Sequence, residues 1–232
     1  MIKDNIDKIL NEIENIKNLE GIKYKIDLMA VSKTYPVEDI IEAYNCGLKL
    51  FGENRVQEAH SKFTILKEQY SDINLHIIGH LQRNKVKKAI DVSSTVQSID
   101  KLETLKVLDN SAKLSDKSID YLIEVNTSNE PQKSGVFENE VDQLINHINQ
   151  SSLSNVNIRG LMTVGPLTDD NEEIRRSFRT LKKIFDSVKM NLNNDHFNIL
   201  SMGMSGDYKI AIEEGSNLLR IGSKIFGKRN YQ

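Results

Sequence analysis

One cysteine in 232 residues leaves no partner for an internal disulfide. Cys46 closes an amphipathic stretch and is expected to be a packed thiol in a reducing cytoplasm. The same scarcity removes any CxxC motif. The five histidines (His60, His76, His80, His147 and His196) show no metal-ligand spacing, so no metal is expected. No apolar run approaches the roughly 18 residues that span a bilayer. The opening Met-Ile-Lys-Asp-Asn-Ile-Asp-Lys mixes charged with apolar residues, unlike a signal peptide. Three prolines and no low-complexity tract leave little room for linkers or disorder. An excess of one charge is missing too. The 31 basic and 33 acidic residues give a net charge of −2, which points away from nucleic acid and membrane as partners. What remains is a chain long enough for one large core, read as a single domain over residues 1–232.

Short apolar strands alternate with amphipathic helices along this chain. The first segment predicts a helix with Ile6, Ile9, Leu10, Ile13 and Ile16 on one face. Strands are predicted at 28–32, 48–52, 75–78, 94–99, 119–125, 158–162, 199–202 and 218–221, each after the first reached through a helix. The longest helix carries Ile174, Phe178, Leu181, Phe185 and Val188 at a 4-3-4-3 spacing. Strict alternation implies parallel strands with right-handed crossovers. Eight such units predict an α/β fold, a single (β/α)8 TIM-type barrel with an extra N-terminal helix. A doubly wound open sheet is the alternative. Its Gly-rich first turn is absent, since the first turn reads Ser32-Lys33-Thr34-Tyr35-Pro36.

A barrel places chemistry at the C-terminal ends of its strands, and the unusual residues fall there. Lys33 follows the first strand, Glu53-Asn54 the second and His80 the third. Glu124-Val-Asn126 ends the fifth strand and Met162-Thr163 the sixth. Gly203-Met-Ser-Gly-Asp207 follows the seventh and Arg220-Ile-Gly-Ser223 ends the eighth. A lysine ending a buried strand must be solvated, paired or neutralised. An amine in an apolar pocket becomes a nucleophile able to form a Schiff base with an aldehyde; a snorkelling charge is the plainer account. Gly203, Gly206 and Gly222 allow tight turns, or close backbone approach to a phosphate between the seventh and eighth strands. A phosphate site opposite a reactive amine suggests pyridoxal 5′-phosphate. Arg83, Lys85, Lys87 and Lys88 form a basic run, read as a solvated helix face. His80 either borders the pocket or packs, and Ser201 is an alternative to Ser205 as a phosphate hydroxyl.

Several motifs occur in an order that resembles the YggS/PROSC family of pyridoxal-phosphate-binding homeostasis proteins over essentially the full chain. They are Ala30-Val-Ser-Lys33, Phe51-Gly-Glu-Asn54-Arg, Ile78-Gly-His-Leu-Gln-Arg-Asn-Lys85, Arg159-Gly-Leu-Met162, Ser201-Met-Gly-Met-Ser-Gly-Asp207 and Ala211 to Gly227. The resemblance implies a barrel like the N-terminal domain of alanine racemase (fold type III). Lys33 would form the Schiff base, and Ser205, Gly206, Gly222 and Ser223 would hold the phosphate. Arg220 would face the pyridine nitrogen and Asn54 the ring. Two departures are Leu75 and Ile77, where the family usually has an aromatic and Phe or Met. The loop after Asn126 matches only loosely.

Racemisation needs proton donors and acceptors on both faces of the substrate carbon. Lys33 serves one face. No additional β domain is expected here, and the seven tyrosines (24, 35, 44, 70, 121, 208 and 231) offer only Tyr35 near Lys33. The expectation is a non-enzyme, a monomeric cytoplasmic carrier that buffers pyridoxal phosphate and passes it to pyridoxal-phosphate-dependent apoenzymes. The alternative is a fold-type III racemase or lyase.

Overall fold

The computed structural model describes residues 1–128, 130 and 132–228. Eight parallel strands form the barrel: β1 (Asp27–Val31), β2 (Leu50–Glu53), β3 (Asn74–Ile77), β4 (Thr95–Ile99), β5 (Ile119–Asn126), β6 (Val156–Met162), β7 (Ile199–Ser201) and β8 (Leu218–Ile221). Each pairs with its sequence neighbour, β1 pairs with β8, and the β4–β5 pairing closes the ring. Helices α1 (Ile2–Leu19), α2 (Val37–Asn45), α3 (Val56–Gln69), α4 (Val86–Val92), α5 (Leu102–Leu114), α6 (Val141–Asn149), α7 (Asn171–Leu192), α8 (Tyr208–Glu213) and α9 (Ser223–Phe226) accompany the barrel, with 3-10 turns at Arg83–Lys85 and Glu138–Glu140 and a two-residue strand at Val136–Phe137.

The helices form where the apolar period and end signals agree. In α7 the residues Ile174, Phe178, Leu181, Phe185 and Val188 are all buried. Asp170 caps it by accepting the Glu172 and Glu173 N–H groups, and Asn193 ends it in the left-handed region at φ 44°. Gly47, at φ 97°, follows α2 and turns the chain into β2. The extra helix α1 buries Ile2, Ile6, Ile9 and Ile13. Asn5 donates to the Ile225 carbonyl at 2.9 Å, tying α1 to α9.

Strand and helix faces bury one continuous apolar layer, while a smaller cluster of Met29, Val31 and Leu218, flanked by Leu50, Ile78 and Ile199, fills the barrel. Strand limits differ from the sequence expectation by up to two residues in either direction, because ladder hydrogen bonds, which run on through polar residues such as Asp27, Asn74 and Asn126, set them rather than the apolar period. Two elements carry no such period and were not expected. They are α9 and a two-residue strand, Val136–Phe137, which pairs with the end of β5.

Candidate functional site

Register places the site residues. Val31 pairs with Gly52, and the Ser32 N–H reaches the Gly52 carbonyl at 3.0 Å; there the ladder ends, and Lys33 enters a turn closed by the Tyr35 N–H on the Ser32 carbonyl at 3.1 Å, while Asn54 follows the end of the neighbouring β2. Lys33, two residues past the end of β1, sits at the C-terminal mouth of the barrel, where it is half-buried. Asn54 is half-buried as well, and the loop after β3 runs against it. A Cβ on Gly79 would lie 2.4 Å from the Asn54 carbonyl oxygen. A Cβ on Gly222 would stand 3.1 Å from the Val31 carbonyl oxygen, so the β8 loop crosses next to the strand bearing Lys33.

The seventh and eighth loops also meet. The Lys224 N–H approaches Ser205 Oγ at 3.4 Å, linking Ser205-Gly206 to Gly222-Ser223. Gly203 adopts φ 95°, and a side chain there would strike Ala211 Cβ at 2.6 Å. Gly206 is different. Its φ is not left-handed and a Cβ would meet nothing within 4 Å, so neither backbone nor packing calls for glycine. The Cβ position of Gly206 thus faces open space, beside Ser205 and the loop that carries Ser223.

Beneath the mouth, polar side chains cross the barrel. Arg220, 4 % exposed, donates to Ser201 Oγ and to the Thr163 carbonyl, both at 2.7 Å. Ser201 Oγ donates to Gln97 Oε1 at 2.7 Å, and Gln97 Nε2 meets His76 Nδ1 at 2.8 Å. Burial pushes His76 down to about 3, so it stays neutral and accepts this bond. Burial also lowers Arg220 to about 10, against the opposing pull of Asp207 and Glu124, leaving it protonated at neutral pH. Glu124 rises to about 7 through burial and Asp100, with Arg220 opposing.

The structure thus brings Lys33, Asn54, Ser205, Gly206, Gly222 and Ser223 to one rim, with Arg220 one layer below. Ser201, the alternative to Ser205, is fully buried and engaged by Gln97 and Arg220. His80 is exposed on its loop and does not pack. Arg83, Lys87 and Lys88 are exposed, as a solvated face requires, and Lys85 is half-buried. Tyr35 is engaged with the C-terminal segment. Its hydroxyl donates to the Gly227 carbonyl at 2.7 Å and its ring lies 4.7 Å from Phe226. Tyr231, and positions 129 and 131 of the loosely matching loop, lie outside the described residues.

Sequence reasoning missed a charged cluster behind Lys33. Lys62 Nζ donates to the Ser32 carbonyl at 3.0 Å, to Glu53 Oε1 at 3.2 Å and to Glu58 Oε1 at 2.6 Å. Ser32 Oγ donates to Glu53 Oε1 at 2.8 Å, and the Thr34 N–H to Glu58 Oε1 at 2.6 Å. Thr34 sits at φ 70°, a conformation that costs an L-residue about 1–2 kcal/mol. The available signal was the Glu58–Lys62 spacing of four on one helix face.

Residues 5–230 match the family of the alanine racemase N-terminal domain. The chain is 40 % identical to the pyridoxal phosphate homeostasis protein of Vibrio alginolyticus, over 99 % of this chain and 98 % of the relative. The structure of PipY from Synechococcus elongatus with pyridoxal phosphate bound superposes with a TM-score of 0.85 at 29 % identity, covering 98 % of this chain and all of PipY. An alanine racemase from Clostridium difficile shares the fold, with a TM-score of 0.75 at 17 % identity, and this chain covers 58 % of its length. The chain belongs to the alanine racemase N-terminal domain family and, within it, to the pyridoxal phosphate homeostasis proteins.

Proposed function

We propose that this chain binds pyridoxal 5′-phosphate at the barrel mouth and serves its intracellular homeostasis by holding and delivering it, without substantial turnover. One observation carries this reading: Lys33 just past the end of β1, at the same end of the barrel as Asn54 after β2 and as the meeting loops of Ser205-Gly206 and Gly222-Ser223, the latter passing next to Val31. Those residues match the group's two reactive ends. The aldehyde calls for a primary amine, and the phosphate for hydroxyls and close backbone over an open loop. When bound, the group supplies a reversible covalent carbonyl and a ring able to stabilise negative charge. Lys33 supplies the amine for a Schiff-base link. Ser205, Gly206, Gly222 and Ser223 would hold the phosphate, and Asn54 would lie near the ring. Arg220, kept protonated, would be the donor on the ring-nitrogen side and would disfavour protonation there, which weakens electron withdrawal.

The carrier role draws support from Tyr35. The tyrosine nearest Lys33 in sequence has its hydroxyl committed to Gly227, so it does not offer a second proton donor opposite the lysine. Relatives named as homeostasis proteins rather than as enzymes agree with this. Loaded protein is expected to pass its cofactor to a pyridoxal-phosphate-dependent apoenzyme and to show no substantial racemisation of amino acids by chiral chromatography. Racemase or lyase turnover that disappears in Lys33→Ala would favour the enzyme instead.

A further inference from the structure

The Lys62 cluster does more than dock a helix. Helix α3 already packs through Val56, Ala59, Phe63 and Leu66, all buried. Its charged residues Lys62 and Glu58, with Glu53 from the end of β2, instead grip the chain on both sides of one residue. The carbonyl before Lys33 is held by Lys62, the hydroxyl before it by Glu53, and the N–H after it by Glu58. The side chain of Lys62 is 12 % exposed, and its three protons match three acceptors: Ser32 O, Glu53 Oε1 and Glu58 Oε1. The turn so held contains a threonine at φ 70°, which threonine does not adopt readily without such restraint.

We propose that Lys62 and Glu58 are positioning residues for Lys33: by pinning Ser32 and Thr34 they aim its amine into the barrel mouth. This rests on the reading that Lys33 carries the cofactor. Neither residue is among those that would hold the cofactor. They act through the backbone, where a small misplacement of the amine costs affinity because the phosphate is anchored elsewhere on the rim.

The test uses the full chain as Lys62→Met, Thr34→Gly, the double variant and Glu58→Ala. Pyridoxal phosphate affinity and the borohydride-trapped fraction on Lys33 are measured well below the apoprotein melting temperature. Lys62→Met is expected to weaken binding roughly ten-fold, equivalent to about 1.4 kcal/mol. Glu58→Ala is expected to weaken it several-fold. Thr34→Gly alone leaves binding near wild type. In the double variant it recovers part of the loss, because glycine takes positive φ without being gripped. If Lys62 only stabilises the fold, Lys62→Met lowers the melting temperature, leaves affinity and trapping unchanged, and combines additively with Thr34→Gly. That result overturns the inference while the proposed function stands. Wild-type protein that takes up no pyridoxal phosphate on Lys33 overturns both. If Lys62→Met does not fold, unchanged affinity in Glu58→Ala is the overturning result.

Discussion

Replacing Glu53 by glutamine should change how stability depends on pH, in a direction opposite to the usual behaviour of a carboxylate in an ion pair. Glu53 is fully buried at the end of β2, and among the described residues its Oε2 has no hydrogen-bond partner. Lys62 and Ser32 favour the charged form through Oε1, but burial dominates and pushes the carboxyl up to about 7 from an ordinary 4.5. A carboxyl raised on folding keeps its proton longer in the native state than in the unfolded chain. Stability therefore falls as pH climbs from about 4.5 to about 7 and levels off above. The shift of about 2.5 units, at 1.36 kcal/mol each, sets that loss at about 3 kcal/mol. Glutamine has nearly the same shape, can still accept at Oε1, and cannot ionise. Urea unfolding of apoprotein should show Glu53→Gln close to wild type at pH 4.5 and more stable by up to about 3 kcal/mol at pH 8. For a chain of this size that is roughly 6–12 °C in melting temperature. Stability curves that run parallel across this range would refute the reasoning, and a variant that loses stability faster than wild type as pH rises would reverse its sign.

Three further substitutions follow from the same geometry. Gly206→Ala should leave the melting temperature within a degree or two, since a Cβ meets nothing there, yet weaken pyridoxal phosphate binding if the space is for phosphate; equal affinity would remove Gly206 from the site. Arg220→Leu uncouples Ser201 and Thr163 and leaves Glu124 and Asp207 without their cation, so denaturant unfolding at pH 8 should show a loss of roughly 3 kcal/mol. Tyr35→Phe removes one partly buried hydrogen bond and should cost about 1 kcal/mol while leaving cofactor binding and any turnover unchanged, as kinetic and thermal assays would reveal.

Much of this molecule could be read from local pattern. Alternating apolar runs fixed the order of strands and helices, because each strand is buried on the sheet and each helix needs a 3.6-residue stripe, as Ile174 to Val188 shows. The rim residues were legible for a related reason: in a parallel barrel, position after a strand determines position in space, so Lys33, Asn54 and Gly222 converge without any contact being known. What stayed hidden depends on partners distant in sequence. Ser201 and Ser205 look alike in the chain, and only the Arg220–Ser201–Gln97 link buries one of them beneath the site. Tyr35 looks available until Gly227, 192 residues away, takes its hydroxyl. Glu53, Glu58 and Lys62 read as ordinary helix and strand-end charges. Their role around the Lys33 turn appears only when α3 lies against it.

The most direct test of the account is borohydride reduction of the protein loaded with pyridoxal phosphate, followed by peptide mass mapping beside Lys33→Ala. The account predicts loss of a visible absorbance band on reduction, one phosphopyridoxyl adduct on the peptide bearing Lys33, and neither feature in the variant. An adduct spread over surface lysines such as Lys87 and Lys88, or an unchanged band in Lys33→Ala, would contradict it.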